Sequence, residues 1–352
     1  LSDVIDISDC SGGGCFNAAV KSDGTVWIWG PGAGTLAGDS AQADYFAPEQ
    51  LAGISDAISV STGPLRGMAI LADGRVIAWG FTNGWDRGLS NGIVHPPTEV
   101  PGLSSVIDIV LGRGWGAALR SDGTVWTWGD NENGVLGRSI AQSSNNPPGM
   151  VEGLTDIVQI AAGHSHILAL GADGRVWGWG RNGDGQVGDG SKAARSEPRE
   201  LTSLSNVSFI QVADNSSFAI LADGTVFGWG NWGGACCEPP LYSQPDPYEV
   251  PDIPAMVTIG ALSVPPLGGG SIGLSASGEL WRIGFQSERI FEEFDTGRIP
   301  SEIIPSACQS YFFSNGNLSL TCVDTSGAGL EPPVYNVTMN PVVNLDFALT
   351  AA

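Results

Sequence analysis

The chain has 352 residues, and its 15 basic and 37 acidic residues give a formal net charge of −22 at pH 7. A field of this sign repels phosphate backbones, so nucleic acid is excluded as a favoured partner. The length allows a large hydrophobic core, and no apolar run is long enough to cross a bilayer as a helix.

The first predicted elements are three short strands over residues 4–8, 16–20 and 25–29. Asp-Gly joins the last two, and this dipeptide between apolar runs predicts a tight hairpin, because glycine adopts positive φ without steric cost. The same turn returns five times, the last time as Ser-Gly. Its glycines are Gly24, Gly74, Gly123, Gly174, Gly224 and Gly278, which are 50, 49, 51, 50 and 54 residues apart.

Each turn precedes a variant of one phrase: TVWIWG, RVIAWG, TVWTWG, RVWGWG, TVFGWG and ELWRIG. Five tryptophans therefore fall in register, with Ile283 in the sixth position, and they are predicted to pack between repeats. They are Trp29, Trp79, Trp128, Trp179 and Trp229. A period near 50 residues with short strands and Gly-rich turns indicates an all-β propeller with four-stranded blades.

The long loops after these phrases end in prolines, and each is followed by a short extended piece such as TEVPGL or REL. These pieces are predicted to form the outer strand of each blade, since proline cannot donate a hydrogen bond to a ladder.

Stretches such as IAAGHSHILALGADGRVWGWGRNGDGQVGDG and VLGRGWGAALRSDGTVWTWGDNENGVLG resemble the regulator of chromosome condensation repeat family. The resemblance covers residues 3–300 and implies a seven-bladed type of propeller, of which six repeats are clear. The chain is predicted to be a divergent, exported member, with the propeller in residues 1–300. Residues 301–352 are predicted to be a C-terminal β segment, either a reduced seventh blade or a small appended module.

The six cysteines are an even number without the spacing of a zinc site, which favours disulfides. The predicted pairs are Cys10 with Cys15 and Cys308 with Cys322. The adjacent Cys236 and Cys237 either bond elsewhere or form a strained vicinal bridge. Disulfides, acidity and a start at Leu1 rather than Met predict an extracellular or cell-surface protein whose signal peptide has been removed.

One face of the disk is predicted to contact partners, as the resemblance implies. Aligned on the Asp-Gly turn, equivalent positions are predicted to hold Phe16, Gly67, Trp115, His166, Ser217 and Gly270. The predicted partner-binding face comprises Phe16, Arg66, Arg113, Trp115, His164, His166 and Asn215. Aromatic residues predicted to lie exposed in loops are Phe81, Trp85 and Trp232, and Trp115 also falls outside the repeated phrase. For Trp85, Trp115 and Trp232 the alternative to partner binding is satellite packing.

Metal binding is not predicted. His164 and His166 lie two apart, which places them on one side of a strand, but no third ligand is near, and a structural role is favoured. The loops over 129–134 and 181–190 resemble calcium loops without the terminal Glu of an EF-hand. The prediction is therefore no cofactor, with calcium as the alternative.

No catalytic motif is present: there is no Gly-x-Ser-x-Gly elbow, no phosphate-binding Gly-rich loop before a helix and no HExxH. The prediction is a non-enzymatic scaffold that presents one propeller face to a protein or glycan. Two alternatives remain: a self-assembling surface or fibre subunit that uses the C-terminal segment, and an extracellular enzyme with an axial active site.

Overall fold

The structure is a computed structural model. It describes residues 1–8, 16–37, 44–63, 66–81, 94–112, 114–140, 146–213, 215–231, 243–262, 270–283, 288–291, 308–314, 317–322 and 337–338. In these ranges, each of the six repeats forms an antiparallel sheet in which four strands follow one another in chain order. These sheets are blades 1 to 6 of a β-propeller, as the sequence predicts.

Strands in the same position of each blade have similar bounds. The first strands are β1 (Val4–Ser8), β5 (Ala57–Gly63), β9 (Val106–Leu111), β13 (Ile157–Ala162), β17 (Val207–Ala213) and β21 (Met256–Leu262). The second strands are β2 (Asn17–Lys21), β6 (Arg66–Leu71), β10 (Trp115–Arg120), β14 (His166–Gly171), β18 (Ser216–Leu221) and β22 (Gly270–Ser275). The third strands are β3 (Val26–Gly30), β7 (Val76–Phe81), β11 (Val125–Gly129), β15 (Val176–Gly180), β19 (Val226–Gly230) and β23 (Leu280–Ile283).

The fourth strands are β4 (Tyr45–Gln50), β8 (Val94–Glu99), β12 (Asn146–Met150), β16 (Arg195–Glu200), β20 (Gln244–Glu249) and β24 (Glu288–Phe291). The loops before β4 and β12 hold a short helix, α1 (Ala33–Ala37), and a 3-10 turn over Glu132–Gly134. Among the described residues, no helix is long and apolar enough to cross a membrane.

The Asp-Gly hairpins join the second and third strands, as predicted. Their glycines have φ between +76° and +87°. At Gly74 an added Cβ would lie 2.7 Å from the Cα of Ser105 in the next blade, so the turn needs glycine for its conformation and for this close approach.

Each first strand contains a β-bulge near its start, where the pairing with the second strand skips one residue. The skipped residues are Ile5, Ile58, Ile107, Val158, Ser208 and Val257. Five first strands follow a residue with φ between +54° and +59°, a conformation that Asp and Asn tolerate better than most side chains. Those residues are Asp3, Asp56, Ser105, Asp156 and Asn206.

First strands of consecutive blades contact one another in order from β1 to β21, so they line the propeller axis. Hydrophobic clusters fill the space between consecutive blades. Four of the five in-register tryptophans are 0% exposed within these clusters, and Trp29 is half-buried. The Nε1 of Trp179 donates to the carbonyl of Val135 in blade 3 at 2.8 Å. The prediction that these side chains pack between blades is confirmed for Trp79, Trp128, Trp179 and Trp229.

Prolines lie inside the fourth strands rather than before them, which differs from the sequence expectation. Pro96 and Pro97 belong to β8, for example, and Pro198 belongs to β16. Each fourth strand is an edge strand that pairs only with the third, so a residue without an N–H is tolerated there.

The C-terminal segment contributes a hairpin, β25 (Cys308–Ser314) with β26 (Asn317–Cys322), and the short strand β27 (Val337–Thr338). Ser314 pairs with Asn317 at the end of this hairpin, and Asn315-Gly316, where the turn was predicted, lies outside the described residues. Strand β25 contacts β1, β26 contacts β27, and β27 pairs with β21, so these elements lie between blade 6 and blade 1. This placement favours the reduced seventh blade, and the division at residue 300 stays a prediction.

Candidate functional site

The antiparallel strand order gives the propeller two different faces. The loop face carries the turns between first and second strands and the long loops between third and fourth strands. The turn face carries the Asp-Gly turns and the connections from each fourth strand to the next blade. The predicted partner-binding residues that the structure describes lie on the loop face.

Pairing with the third strand defines the equivalent loop-face position in each blade. Arg66, Trp115, His166 and Ser216 each pair with the glycine that follows the in-register tryptophan of the third strand. The predicted alignment is therefore wrong for blades 2 and 5, where it placed Gly67 and Ser217 in this position. An offset of one residue matters because successive side chains in a strand point to opposite faces of the sheet.

The side chains at this position are buried, and those of Phe16, Arg66, Trp115 and His166 contact the following blade. Phe16 lies in the cluster between blades 1 and 2. Arg66 donates to the carbonyls of Gly112 and Trp115 in blade 3. Trp115 Nε1 donates to the carbonyl of His164 in blade 4 at 3.1 Å. These four side chains, His166 included, are at most 3% exposed, so they hold blades together and are not presented to a partner.

His166 forms the next of these contacts, with Ser217 of blade 5. Its Nε2 lies 2.9 Å from Ser217 Oγ, which itself donates to the carbonyl of Gln186 at 2.8 Å. The serine proton is therefore committed, so Nε2 of His166 carries a proton and donates. Burial lowers the pKa of His166 to about 3, with smaller effects from His164 and Arg181. The imidazole stays neutral, and this His–Ser pair is closed to substrate.

Other predicted loop-face residues have different outcomes. His164 is half-buried beside His166, and Asn215 is half-buried with its Oδ1 accepting from Gln186 Nε2 at 3.4 Å. Phe81 ends strand β7. Three predicted residues lie outside the described residues, namely Arg113, Trp85 and Trp232. The partner-binding role of this face stays a prediction, now without its four buried members.

Cys308 and Cys322 pair directly across the β25–β26 hairpin. Directly opposed residues in antiparallel strands have Cβ atoms about 4.5–5.5 Å apart, close to the separation that a disulfide spans. We expect the disulfide to form, and peptide mapping under non-reducing conditions to show the two peptides linked. Two freely alkylated thiols would contradict it. The other cysteines, Cys10, Cys15, Cys236 and Cys237, lie outside the described residues.

The calcium-like loops of blades 3 and 4 are each organised around a buried asparagine. Asn131 Oδ1 accepts from Leu136 N at 3.1 Å, and Asn182 Oδ1 accepts from Val187 N at 2.9 Å. In the second loop the carboxylate of Asp189 forms an ion pair with Arg195. Within the described ranges, no three His, Cys, Asp or Glu side chains are grouped as a metal site requires. Hydrogen bonds from the two asparagines organise both loops, and the prediction of no cofactor stays a prediction.

The turn face is strongly acidic. Its exposed aspartates are Asp3, Asp23, Asp56, Asp73, Asp122, Asp156, Asp173, Asp223 and Asp252. Hydrogen bonds from the residue two positions later lower the pKa of the Asp-Gly aspartates, as from Thr124 to Asp122, so they stay charged. Nearby cations are already engaged: Arg175, for example, pairs with Asp173 and stacks on Trp177.

Exposed aliphatic side chains lie at the axial centre of this face, on the bulges of the first strands. Ile58, Ile107, Val158 and Val257 are 46–54% exposed. Ile5 is half-buried in the same position, and Ser208 is exposed. We call these six bulge residues the bulge ring. The sequence analysis did not identify it.

Two carboxylates follow the bulges of blades 1 and 3, where the first strands approach the axis. Asp6 Oδ2 accepts from Val60 N at 2.8 Å and Ser59 Oγ at 2.7 Å in blade 2. Burial raises the pKa of Asp6, although its hydrogen bonds oppose the rise. Burial raises the pKa of Asp108 to about 7, with a further contribution from the charge of Asp6. Asp6 ties two blades together, whereas Asp108 is a carboxyl that changes charge near neutral pH.

Part of the chain matches a known repeat. Residues 122–170 and 173–220 match the regulator of chromosome condensation (RCC1) repeat, and a second description of that repeat matches residues 106–135 and 157–186. Among curated proteins, the chain is 27% identical over 210 residues to the E3 ubiquitin-protein ligase HERC2 of Homo sapiens. It is 31% identical over 223 residues to the mitochondrial RCC1 domain-containing protein RUG3 of Arabidopsis thaliana.

Each alignment covers 57% of this chain, but 4% of HERC2 and 48% of RUG3, so the chain spans about half the length of these relatives or less. Among solved structures, yeast RCC1 (Prp20) bound to Kap60 aligns with a TM-score of 0.64 and 20% identity, over 80% of this chain and 70% of that one. Human WBSCR16 aligns with a TM-score of 0.65 and 19% identity, over 81% and 77%. These two structures have the same fold as this chain.

Proposed function

Since the chain carries RCC1 repeats and folds as a β-propeller of the RCC1 type, we propose that it is a protein-interaction scaffold without chemistry of its own. The observation that carries this proposal is the use of the loop-face side chains between blades. Arg66, Trp115 and His166 each bond to the following blade, which makes a rigid support for the surfaces around them. A rigid scaffold loses little conformational entropy when it binds, which lowers the entropic cost of binding.

The solved neighbours support a protein as the partner. Yeast RCC1 was solved bound to Kap60, and a second structure of Prp20p from Saccharomyces cerevisiae is described with its binding to Gsp1p and histones. We propose a protein partner for this chain on that ground, at the level of class. A glycan partner and an extracellular or cell-surface location stay proposals from the sequence alone.

The two alternatives have less support. Self-assembly through the C-terminal segment would need a strand of that segment to pair with another copy of the chain. Strand β27 instead pairs with β21 of its own chain. For an axial enzyme, the relevant observation is the carboxyl of Asp108 with its pKa near 7. The neighbouring Asp6 is held by Val60 and Ser59, so it does not form an open pair of acid and base with Asp108.

A scan with a photo-crosslinking amino acid tests the scaffold proposal. Benzoylphenylalanine is placed at exposed positions of the loop face (Glu132, Arg181), the turn face (Ser121, Ala172) and, as a control, the outer strand of blade 1 (Phe46). The variants are irradiated in an extract of the organism that makes the protein. We expect one discrete protein adduct, formed only from the positions of a single face. No adduct from either face, or equal adducts from both faces and the control, would contradict the proposal.

A further inference from the structure

The bulge ring is exposed through a repeated feature of the backbone. In every blade the residue before the skipped one pairs with the second strand and is at least half-buried, and the residue after it pairs again. The inserted residue is therefore turned out of the ladder, as bulges commonly do at functional sites. Because the bulge repeats, an aliphatic side chain occupies the same position in five of the first strands.

Single exposed hydrophobic residues are ordinary, whereas grouped ones mark interaction surfaces. Ile58, Ile107 and Val158 belong to consecutive blades whose first strands contact one another. They therefore follow one another along an arc of three consecutive blades on the turn face.

The charge around the arc defines the partner. Asp56 and Asp156 directly precede their first strands, and the Asp-Gly turns of the preceding blades lie against them through Gly24 and Gly123. A second copy of this chain would bring the same negative charges against them, so self-association through this face is disfavoured. A basic partner is attracted instead.

Resting on the proposed scaffold function, we propose that the bulge ring docks a lysine- or arginine-rich protein segment with an aliphatic side chain at its centre. The aliphatic group buries against Ile58, Ile107 and Val158, and the flanking cations face the aspartates. The apolar contact supplies affinity, and the charges supply orientation and a fast association.

The probe is a fluorescent synthetic peptide with two leucines flanked by two lysines on each side, and binding is followed by anisotropy. One control peptide carries serines for the leucines, and another carries glutamates for the lysines. We expect the Lys–Leu peptide to bind at least tenfold more tightly than either control and to weaken as salt screens the charges. Equal binding of the Lys–Leu and Lys–Ser peptides would overturn the proposal.

The matched protein variants replace exposed apolar residues only. The ring variant is Ile58→Thr with Ile107→Thr and Val158→Thr. The control variant is Phe46→Thr with Met150→Thr and Tyr248→Thr, three exposed side chains on fourth strands. We expect the ring variant to bind the Lys–Leu peptide more than tenfold more weakly than the original chain, and the control variant to change binding less than twofold. Equal binding by both variants would refute the docking site.

Two further outcomes separate this inference from the scaffold proposal. Crosslinks confined to the loop-face positions would leave the scaffold standing and overturn docking at the bulge ring. Sedimentation that shows dimers of the original chain, lost in the ring variant, would assign the ring to a second copy and also overturn it.

Discussion

Replacing Trp179 with alanine is expected to lower the free energy of unfolding by about 3–5 kcal/mol, the usual range for removing a buried tryptophan. The side chain is 0% exposed and lies in the cluster between blades 3 and 4. Its Nε1 also donates to the carbonyl of Val135, which would be left buried without that donor. Denaturation in urea, followed by circular dichroism, measures the loss.

Trp177→Ala is the matched control, because Trp177 lies on the same strand but is only half-buried, with Arg175 stacked on its ring. We expect a clearly smaller loss for this variant. Equal losses for both variants would mean that the junction between blades 3 and 4 does not depend on the in-register tryptophan.

Asp108→Asn is expected to stabilise the protein most above neutral pH and clearly less at pH 5. Burial raises the pKa of Asp108 from 3.8 to about 7, so between these values the folded chain binds a proton that the unfolded chain has released. The stability of the original chain therefore falls as pH rises from about 4 to about 7. The asparagine variant lacks this loss.

The size of the effect follows from the pKa change. About 3 pH units at 1.36 kcal/mol each sets an upper limit of about 4 kcal/mol. Protein surrounds the Asp108 carboxyl densely, yet its side chain is partly exposed, so solvent screening reduces the expected gain at pH 8 to about 1–3 kcal/mol.

Urea midpoints from pH 5 to pH 8 test the Asp108 prediction. Asp122→Asn serves as the control, because hydrogen bonds from Thr124 lower the pKa of Asp122 and its loss gives no gain above neutral pH. The stability difference between the Asp108 variant and the original chain should therefore change with pH. A constant difference would show that the pKa of Asp108 is not raised.

The propeller architecture could be predicted from the residues of each repeat. The Asp-Gly turns fix positive φ at regular intervals, and the tryptophans in register identify the side of each strand that is buried. The positions around Arg66 and His166 were harder to interpret, because whether a polar residue meets solvent or a neighbour depends on how two blades abut. Residue spacing within one repeat does not contain that information.

A sequence signal for the bulge ring does exist. In a strand with one buried face, apolar and polar residues alternate, so two successive apolar residues before a polar one indicate an inserted position. Val106-Ile107-Asp108 and Met256-Val257-Thr258 have this form. The same pattern predicts that Asp108 pairs again with the second strand, as it does with Leu119.

Blade 4 shows that its contacts run in both directions along the chain. Trp179 reaches back to Val135 in blade 3, while His166 reaches forward to Ser217 in blade 5. A transplanted repeat must therefore match the contact residues of both neighbouring blades. Removing a single repeat brings together two blades whose contact residues do not match. A chimaera cut between the second and third strands of blade 4 would disrupt both junctions at once, because Trp179 and Val135, and likewise His166 and Ser217, would then come from different parent chains.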